Sequence, residues 1–264
     1  MEWGFGTNNL PGLLKAIWKA IYNRGFSVEG KGLCPLQLGW DYFFLLLAGL
    51  CTIPLCITPP LKNYLQRDEL MGTCILNGVV GTLTILFLFW FCRWKHLPPI
   101  NVSRLHFGKI VREGSIFFLV LWLSDFLWEA VLSLLQQRWS IEIQEQPLIR
   151  LLRSQGKIRS DQWLGIMGLV VFCAPIGEEI FFRYFLYRFC KSFLSPTGAC
   201  FWTALVFAFL HFNFGVFFPL FIMGVGLVLL YERCGNLIPS IVVHGVFNFL
   251  SLCIFLCQST VTVE

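Results

Sequence analysis

Residues 174–183 read Ala-Pro-Ile-Gly-Glu-Glu-Ile-Phe-Phe-Arg and place three ionisable side chains inside a long apolar run, Trp163–Cys190. An ionisable group in a membrane-spanning helix costs about 2.5–3.5 kcal/mol on insertion scales, so each such group suggests a function. Glu179 and Arg183 are four residues apart, and on a helix they meet on one face and can neutralise each other. Glu178 is rotated about 100° from that face, so its carboxylate is left free for chemistry.

A proline precedes the acidic pair. Pro175 has no backbone N–H and cannot donate to the carbonyl of Val171, four residues earlier. The sequence therefore predicts a kink or an opened turn immediately before Glu178.

The composition of the whole chain explains why these charges stand out. Of 264 residues, 56% are hydrophobic and only 13% are charged, whereas a soluble domain carries about 25% charged residues. One core could not bury that much apolar surface in water, which excludes a soluble enzyme, a disordered chain and a coiled coil. The sequence predicts an all-α protein, a polytopic transmembrane helical bundle of about seven to eight spans.

The spans are predicted from apolar runs that approach about 20 residues. Seven runs qualify, and the sixth is short and interrupted by Gly224 and Gly226: Trp40–Ile57, Thr73–Cys92, Ser115–Leu135, Trp163–Cys190, Cys200–Phe217, Pro219–Tyr231 and Leu237–Cys257.

The segment before the first span has a different pattern. Six apolar residues share one helical face with lysines opposite, which predicts an N-terminal amphipathic helix lying in the membrane interface: Leu10, Leu13, Leu14, Ile17, Trp18 and Ile21. The chain is thus divided into this N-terminal segment, transmembrane helices with a basic loop, a core that carries the polar motifs, and a short tail: residues 1–39, 40–162, 163–257 and 258–264.

The distribution of positive charge predicts the orientation. With the N-terminus inside, twelve of the 20 Lys and Arg residues fall in inner loops and seven in outer loops, which places the C-terminus outside. Because these charges flank apolar blocks, they favour contact with lipid headgroups, and no nucleic-acid partner is expected. The protein is predicted to be an integral, multi-pass membrane protein. Small size and short loops favour a bacterial inner membrane over the eukaryotic endoplasmic reticulum.

Further polar residues occupy the last third of the chain. His211 lies four residues after Phe207 in the predicted fifth span, and His244 and Asn248 are four apart in the last. At about 1.5 Å per residue, these side chains and Glu178 share one slab in the inner half of the bilayer. A desolvated Glu makes a better base than an exposed one, and His and Asn supply donors for an oxyanion. The set therefore favours hydrolysis.

These residues resemble the motifs of a known family. The resemblance is to the CAAX-prenyl-protease and bacteriocin-processing family, also called the Abi family, and it covers about residues 163–252. Three motifs carry it: Glu178-Glu179-x-x-x-Arg183, Phe207-x-x-x-His211 and His244-x-x-x-Asn248.

The resemblance implies an intramembrane endopeptidase with a conical, helix-lined cavity. It implies that Glu178 and His211 activate a water molecule and that His244 and Asn248 form an oxyanion site. Glu179 and Arg183, with Phe207, would support the site by shaping and neutralising it. The implied partner is a peptide or protein substrate, including lipid-modified ones, because the family contains enzymes that trim prenylated C-terminal tails.

A second acidic pair lies in the third predicted span. Asp125 and Glu129 are four residues apart and can line the same cavity, steer substrate or complete a metal site with the two histidines. Alternatively they face Arg183 or lie near the outer interface, where Trp122 and Trp128 would anchor the helix.

Other functions remain open at this point. Asp125, Glu129, Glu178 and the histidines can also form the relay of a proton- or cation-coupled transporter, or the chain can be a non-catalytic immunity or binding protein. No cofactor is expected. Zinc is the alternative, but the sequence has no His-Glu-x-x-His helix and Asn is a poor zinc ligand.

Overall fold

The computed structural model describes residues 33–64, 68–100, 107–140, 147–154 and 158–261. Within these ranges the chain is helical and contains no strand, which confirms the predicted all-α bundle. The interfacial helix predicted around Leu10–Ile21 lies outside the described residues. The helices are α1 Trp40–Tyr64, α2 Glu69–Trp94, α3 Phe107–Trp139, α4 Pro147–Ser154, α5 Ser160–Cys190, α6 Pro196–Phe209, α7 Phe217–Cys234 and α8 Ile238–Val261.

Six of these helices are long and apolar enough to cross a membrane: α1, α2, α3, α5, α7 and α8. Their outward faces carry large apolar side chains that a soluble protein would bury. Leu119 and Phe126 are each 72% exposed, and Leu164 is 75% exposed. An apolar outer surface of this kind needs lipid around it, so the protein is an integral, multi-pass membrane protein.

The predicted fifth span, Cys200–Phe217, is wrong at both ends. Helix α6 begins at Pro196, where Ser195 caps it by accepting from the backbone N–H of Gly198, and it ends at Phe209 after 14 residues. Residues 210–213 turn, and a single 3₁₀ turn at Phe214–Val216 leads into α7. The run is apolar throughout, so hydropathy does not mark where the helix ends.

The predicted sixth span is also corrected. Helix α7 runs without a break over Phe217–Cys234, beyond the predicted Pro219–Tyr231. The two glycines predicted to interrupt it permit close packing instead. A Cβ on Gly224 would lie 2.8 Å from the Cα of Ala204 on α6, and a Cβ on Gly226 would overlap the ring of Phe117 on α3.

Contacts at the two ends of the bundle show how the long helices alternate in direction. At one end the start of α1 meets the end of α5, where Trp40 packs edge-on against Phe189 with ring centroids 4.8 Å apart. We call this the inner end, in keeping with the predicted orientation. At the opposite end, Asp68 before α2 binds Arg159 and Gln162 at the start of α5.

A polar network also ties the segment before α1 to the inner end. Glu232 on α7 accepts from the hydroxyl of Tyr187 at 2.7 Å and from Nζ of Lys191 at 2.6 Å. Lys191 also donates to the carbonyl of Leu33, and Arg188 donates to that of Cys34. Because these charges are paired and hydrogen-bonded, their burial is tolerated, and the segment is held against α5.

Candidate active site

Helix α5 carries the first motif and is not a regular α-helix. It contains two stretches of π-helical turns, Gly168–Cys173 and Ile180–Tyr187, with the acidic pair on the α-helical segment Ala174–Glu179 between them. The kink or opened turn expected immediately before the acidic pair is therefore present as an opened, π-helical turn at Gly168–Cys173. π-helical turns inside α-helices occur frequently at functional sites.

Glu179 forms the centre of a buried ionic group. Its Oε1 atom accepts from Nη1 of Arg183 at 2.8 Å and from Nδ1 of His244 on α8 at 2.8 Å. Glu179 and Arg183 are 0% exposed and His244 is 2% exposed. Nη2 of Arg183 also lies 3.5 Å from the carbonyl of Gly224 on α7. The i, i+4 pair expected from the sequence is present, and one carboxylate serves both an arginine and a histidine.

Glu178 is placed differently from its neighbour. Its Oε2 atom lies 3.8 Å from Nε2 of His244, and its side chain is 31% exposed. Among the described residues, no hydrogen-bond donor reaches this Oε2 atom. A carboxylate beside an imidazole and without a fixed partner is free to accept a proton from a water molecule.

His211 does not lie in the middle of a helix, as its predicted span required. It follows the end of α6, in a turn where Phe212 has a φ of 47° and is 89% exposed. Nδ1 of His211 lies 2.8 Å from the carbonyl of Phe207. Because a carbonyl only accepts, Nδ1 carries the proton, and Nε2 of the neutral ring keeps its lone pair.

Phe207 connects the two histidines. Its ring centroid lies 4.9 Å from that of His211 and 6.0 Å from that of His244, and the ring itself is fully buried. The guanidinium carbon of Arg183 lies 4.7 Å from the same centroid, within cation–π range. The three motifs therefore meet around one aromatic ring.

Asn248 lies on α8 with His244 but binds a different partner. Its Nδ2 atom donates to the carbonyl of Val170 at 2.9 Å, within the first π-helical stretch of α5. One amide proton is used by this bond and the second is left for another acceptor. Nothing in the sequence alone pointed to this contact, because the two residues are 78 positions apart.

Asp125 and Glu129 are not drawn into the group. Both are exposed on α3, and in the described part of the chain no hydrogen bond or ion pair joins either of them to Arg183 or to the histidines. No relay from α3 to Glu178 is therefore visible in these contacts. Trp128, between them, has another role: its indole N–H donates to the carbonyl of Gly215 at 2.8 Å and holds the turn that carries His211.

The possibility of a metal centre can be tested against the donor geometry. Within the ranges that the structure describes, no group of three or more His, Cys, Asp or Glu side chains is placed to bind one ion. The His244 ring already donates from Nδ1 to Glu179, and Nδ1 of His211 is directed to a backbone carbonyl. The described residues of this group do not form a zinc site of the usual three or four ligands.

Comparison with known proteins agrees with the three motifs. Residues 160–250 match the family model described as type II CAAX prenyl endopeptidase, Rce1-like. No curated protein and no solved structure matches the chain. The matched segment begins with α5 and ends within α8, so it contains every residue of the group described above. The resemblance found in the motifs is thus confirmed over this segment, and residues 160–250 are similar to the Rce1-like type II CAAX prenyl endopeptidases.

Proposed function

We propose that the protein is an intramembrane endopeptidase that hydrolyses a peptide bond near the cytosolic side of the membrane. The observation that carries the proposal is the position of Glu178, whose carboxylate oxygen lies 3.8 Å from Nε2 of His244 and has no hydrogen-bond donor among the described residues. The neighbouring carboxylate, Glu179, is instead held through its Oε1 atom by both Arg183 and His244. Two adjacent acids thus have separate tasks, one structural and one chemical.

Glu178 acts as the base in this proposal. It takes a proton from a water molecule while the water oxygen forms a bond to the carbonyl carbon of the scissile peptide. In the neutral form of His211, Nδ1 donates to the carbonyl of Phe207, and Nε2 accepts the second O–H of the same water and orients it. When the tetrahedral intermediate collapses, the C–N bond breaks and Glu178 returns its proton to the leaving amine.

His244 and Asn248 form the proposed oxyanion site. In the protonated state of His244, Nδ1 donates to Glu179 and Nε2 is free to donate to the developing alkoxide. The second amide proton of Asn248 is the other donor. Glu179, itself neutralised by Arg183, holds the ring of His244 in the orientation that this role needs.

The proposed reaction uses no metal and no cofactor. General acid–base chemistry by Glu178 and His211, with the His244–Asn248 donors, accounts for each proton that moves. Loss of stoichiometric zinc together with activity, after chelation of purified protein, would contradict this part of the proposal.

The substrate class follows from the family. The matched model describes CAAX prenyl endopeptidases, so we propose a peptide or protein with a lipid-modified cysteine near its C-terminus. Membrane lipids are the other partners of a chain with this surface. A bacterial inner membrane is the favoured location.

The test uses purified protein in lipid nanodiscs and a peptide ending in a farnesylated Cys-aliphatic-aliphatic-X sequence. Glu178→Gln and His211→Ala should each abolish release of the C-terminal tripeptide, while the variants remain folded. Glu69→Gln, the same change on an exposed residue at the opposite end of the bundle, is the matched control and should keep full activity. The unprenylated peptide tests whether the lipid is required.

Retained cleavage in purified Glu178→Gln protein would reject the mechanism. In cells, a comparison of protein C-termini between the active chain and Glu178→Gln would identify natural substrates. Uptake of a solute that depends on a proton gradient, without any cleavage, would instead favour the transporter.

A further inference from the structure

The π-helical stretch before the acidic pair is followed by Pro175, which cannot extend its hydrogen-bond pattern. The stretch Gly168–Cys173 is π-helical, and just after it the N–H of Ala174 donates five residues back, to the carbonyl of Leu169. The next bond of this type would run from residue 175 to the carbonyl of Val170. Residue 175 is proline and has no N–H, so it cannot supply the π-helical donor of the Val170 carbonyl.

Helix α8 supplies the missing donor. Nδ2 of Asn248 lies 2.9 Å from the carbonyl oxygen of Val170. One turn earlier on α8, Gly245 approaches the carbonyl of Val171 so closely that a Cβ at this position would lie 2.6 Å from the oxygen. An N–H at residue 175 would donate to the carbonyl of Val170 in a π-helical bond or to that of Val171 in an α-helical bond. Both of these carbonyls face α8.

We infer that Pro175 is a positioning residue for the site. Because it leaves the carbonyl of Val170 without its π-helical donor, Asn248 binds this carbonyl and fixes α8 against α5. Pro175 lies three residues before Glu178, and Asn248 lies one turn after His244. The bond therefore sets the distance between Glu178 and the ring of His244. The catalytic consequence depends on the proposed function, whereas the bond and its dependence on Pro175 do not.

A double-mutant cycle on stability tests the bond without any substrate. Asn248→Ala removes the donor to the partly buried carbonyl of Val170 and should lower the thermal midpoint by roughly 3–8 °C. In a Pro175→Ala background the new N–H at residue 175 can serve that carbonyl. The same Asn248→Ala change should then lower the midpoint by less than half as much. Pro54→Ala, in the interior of α1, gives a matched background in which the full loss should remain.

Equal losses in all three backgrounds would overturn the inference, and so would an Asn248→Ala variant as stable as the parent. If Asn248→Ala does not accumulate, Asn248→Ser replaces it, because its hydroxyl is one bond shorter and cannot span the gap to Val170. Asn248→Ser is then measured in the same three backgrounds: the parent, Pro175→Ala and Pro54→Ala.

Activity gives the second readout. With the farnesylated peptide, Pro175→Ala should lower kcat by about tenfold, since small misplacements of reacting groups are costly. KM should change by less than about twofold, since the substrate-binding surface is untouched, and Pro54→Ala should keep the parent kcat. An unchanged kcat in Pro175→Ala would contradict the positioning role. If the parent protein cleaves nothing, the proposed function fails, but the stability cycle still decides the bond.

Discussion

His244 on α8 donates from Nδ1 to Oε1 of Glu179 on α5 across 2.8 Å, in a part of the bundle closed to solvent. This bond joins the first and third motifs directly. It does not involve Glu178, the adjacent residue in the chain. The two carboxylates should therefore respond differently to the same substitution.

Glu179→Gln should destabilise the protein, whereas Glu178→Gln should not. Removing the Glu179 charge leaves Arg183 buried without its counter-ion, and breaking a buried pair costs about 3–5 kcal/mol. The side chain of Glu178 is 31% exposed and its Oε2 atom has no hydrogen-bond donor among the described residues, so we expect folding not to depend on its charge. Thermal unfolding followed by circular dichroism measures the difference. Equal midpoints for the two variants would contradict the division of roles.

Trp128→Phe should reduce activity more than stability. The change removes the indole N–H that holds the carbonyl of Gly215, and with it one anchor of the turn that carries His211. A single hydrogen bond contributes about 1 kcal/mol to stability, while in the proposed mechanism a misplaced His211 would orient the attacking water less well. Kinetics and thermal unfolding of the same preparation separate the two effects. Trp122→Phe, at a residue that is 62% exposed, is the control and should behave as the parent.

Gly224→Ala should separate α6 from α7. The added Cβ would lie 2.8 Å from the Cα of Ala204 and 2.9 Å from its Cβ, and backbone cannot move aside as a flexible side chain can. Overpacking of this kind costs about 1–3 kcal/mol. Gly78→Ala on α2 is the matched control, since a Cβ there would meet no atom within 4 Å. The control should be neutral or slightly stabilising, because Ala favours a helix more than Gly does.

The protein should lose stability at acidic pH through Asp68. A hydrogen bond from the backbone N–H of Met71, together with those from Arg159 and Gln162, lowers the pKa of the Asp68 carboxyl below its usual value. A group with a lowered folded-state pKa stabilises the fold above its unfolded pKa, near pH 4, and this contribution is lost as the pH falls through the lower folded value.

Thermal unfolding of the parent and of Asp68→Asn between about pH 3 and pH 7 checks this expectation. The two curves should differ at neutral pH and converge at the acid end. A constant difference over the whole range would show that Asp68 does not titrate as expected. The effect should be small, because the site lies near the surface.

Part of the site could be predicted from the sequence because it depends on local geometry. Residues four apart on a helix share a face, which explains the Glu179–Arg183 pair and the common orientation of His244 and Asn248. A proline removes one N–H wherever it stands, which explains the opened turn before Glu178. Neither argument requires knowledge of another helix.

The remaining contacts depend on which helices are neighbours, and a single sequence does not specify that. His244 binds the carboxylate of Glu179, and Asn248 binds the backbone carbonyl of Val170. Neither contact follows from spacing within one helix. The end of α6 was missed because the apolar run continues through the turn. Asn213 was the available signal: its side chain accepts from the N–H of Gly215, a pattern typical of turns. The role of Glu232, which joins three segments at the inner end, was also not predicted from the sequence.

The short length of α6 has a consequence for the surrounding lipid. Fourteen residues extend about 21 Å, whereas the hydrocarbon layer of a typical bilayer measures about 30 Å. Acyl chains beside the turn at residues 210–216 would have to compress to cover it, and such mismatch has an energetic cost. If the proposed activity holds, we expect turnover to vary with acyl-chain length in reconstituted vesicles, so the host membrane itself becomes a determinant of how well this protein works.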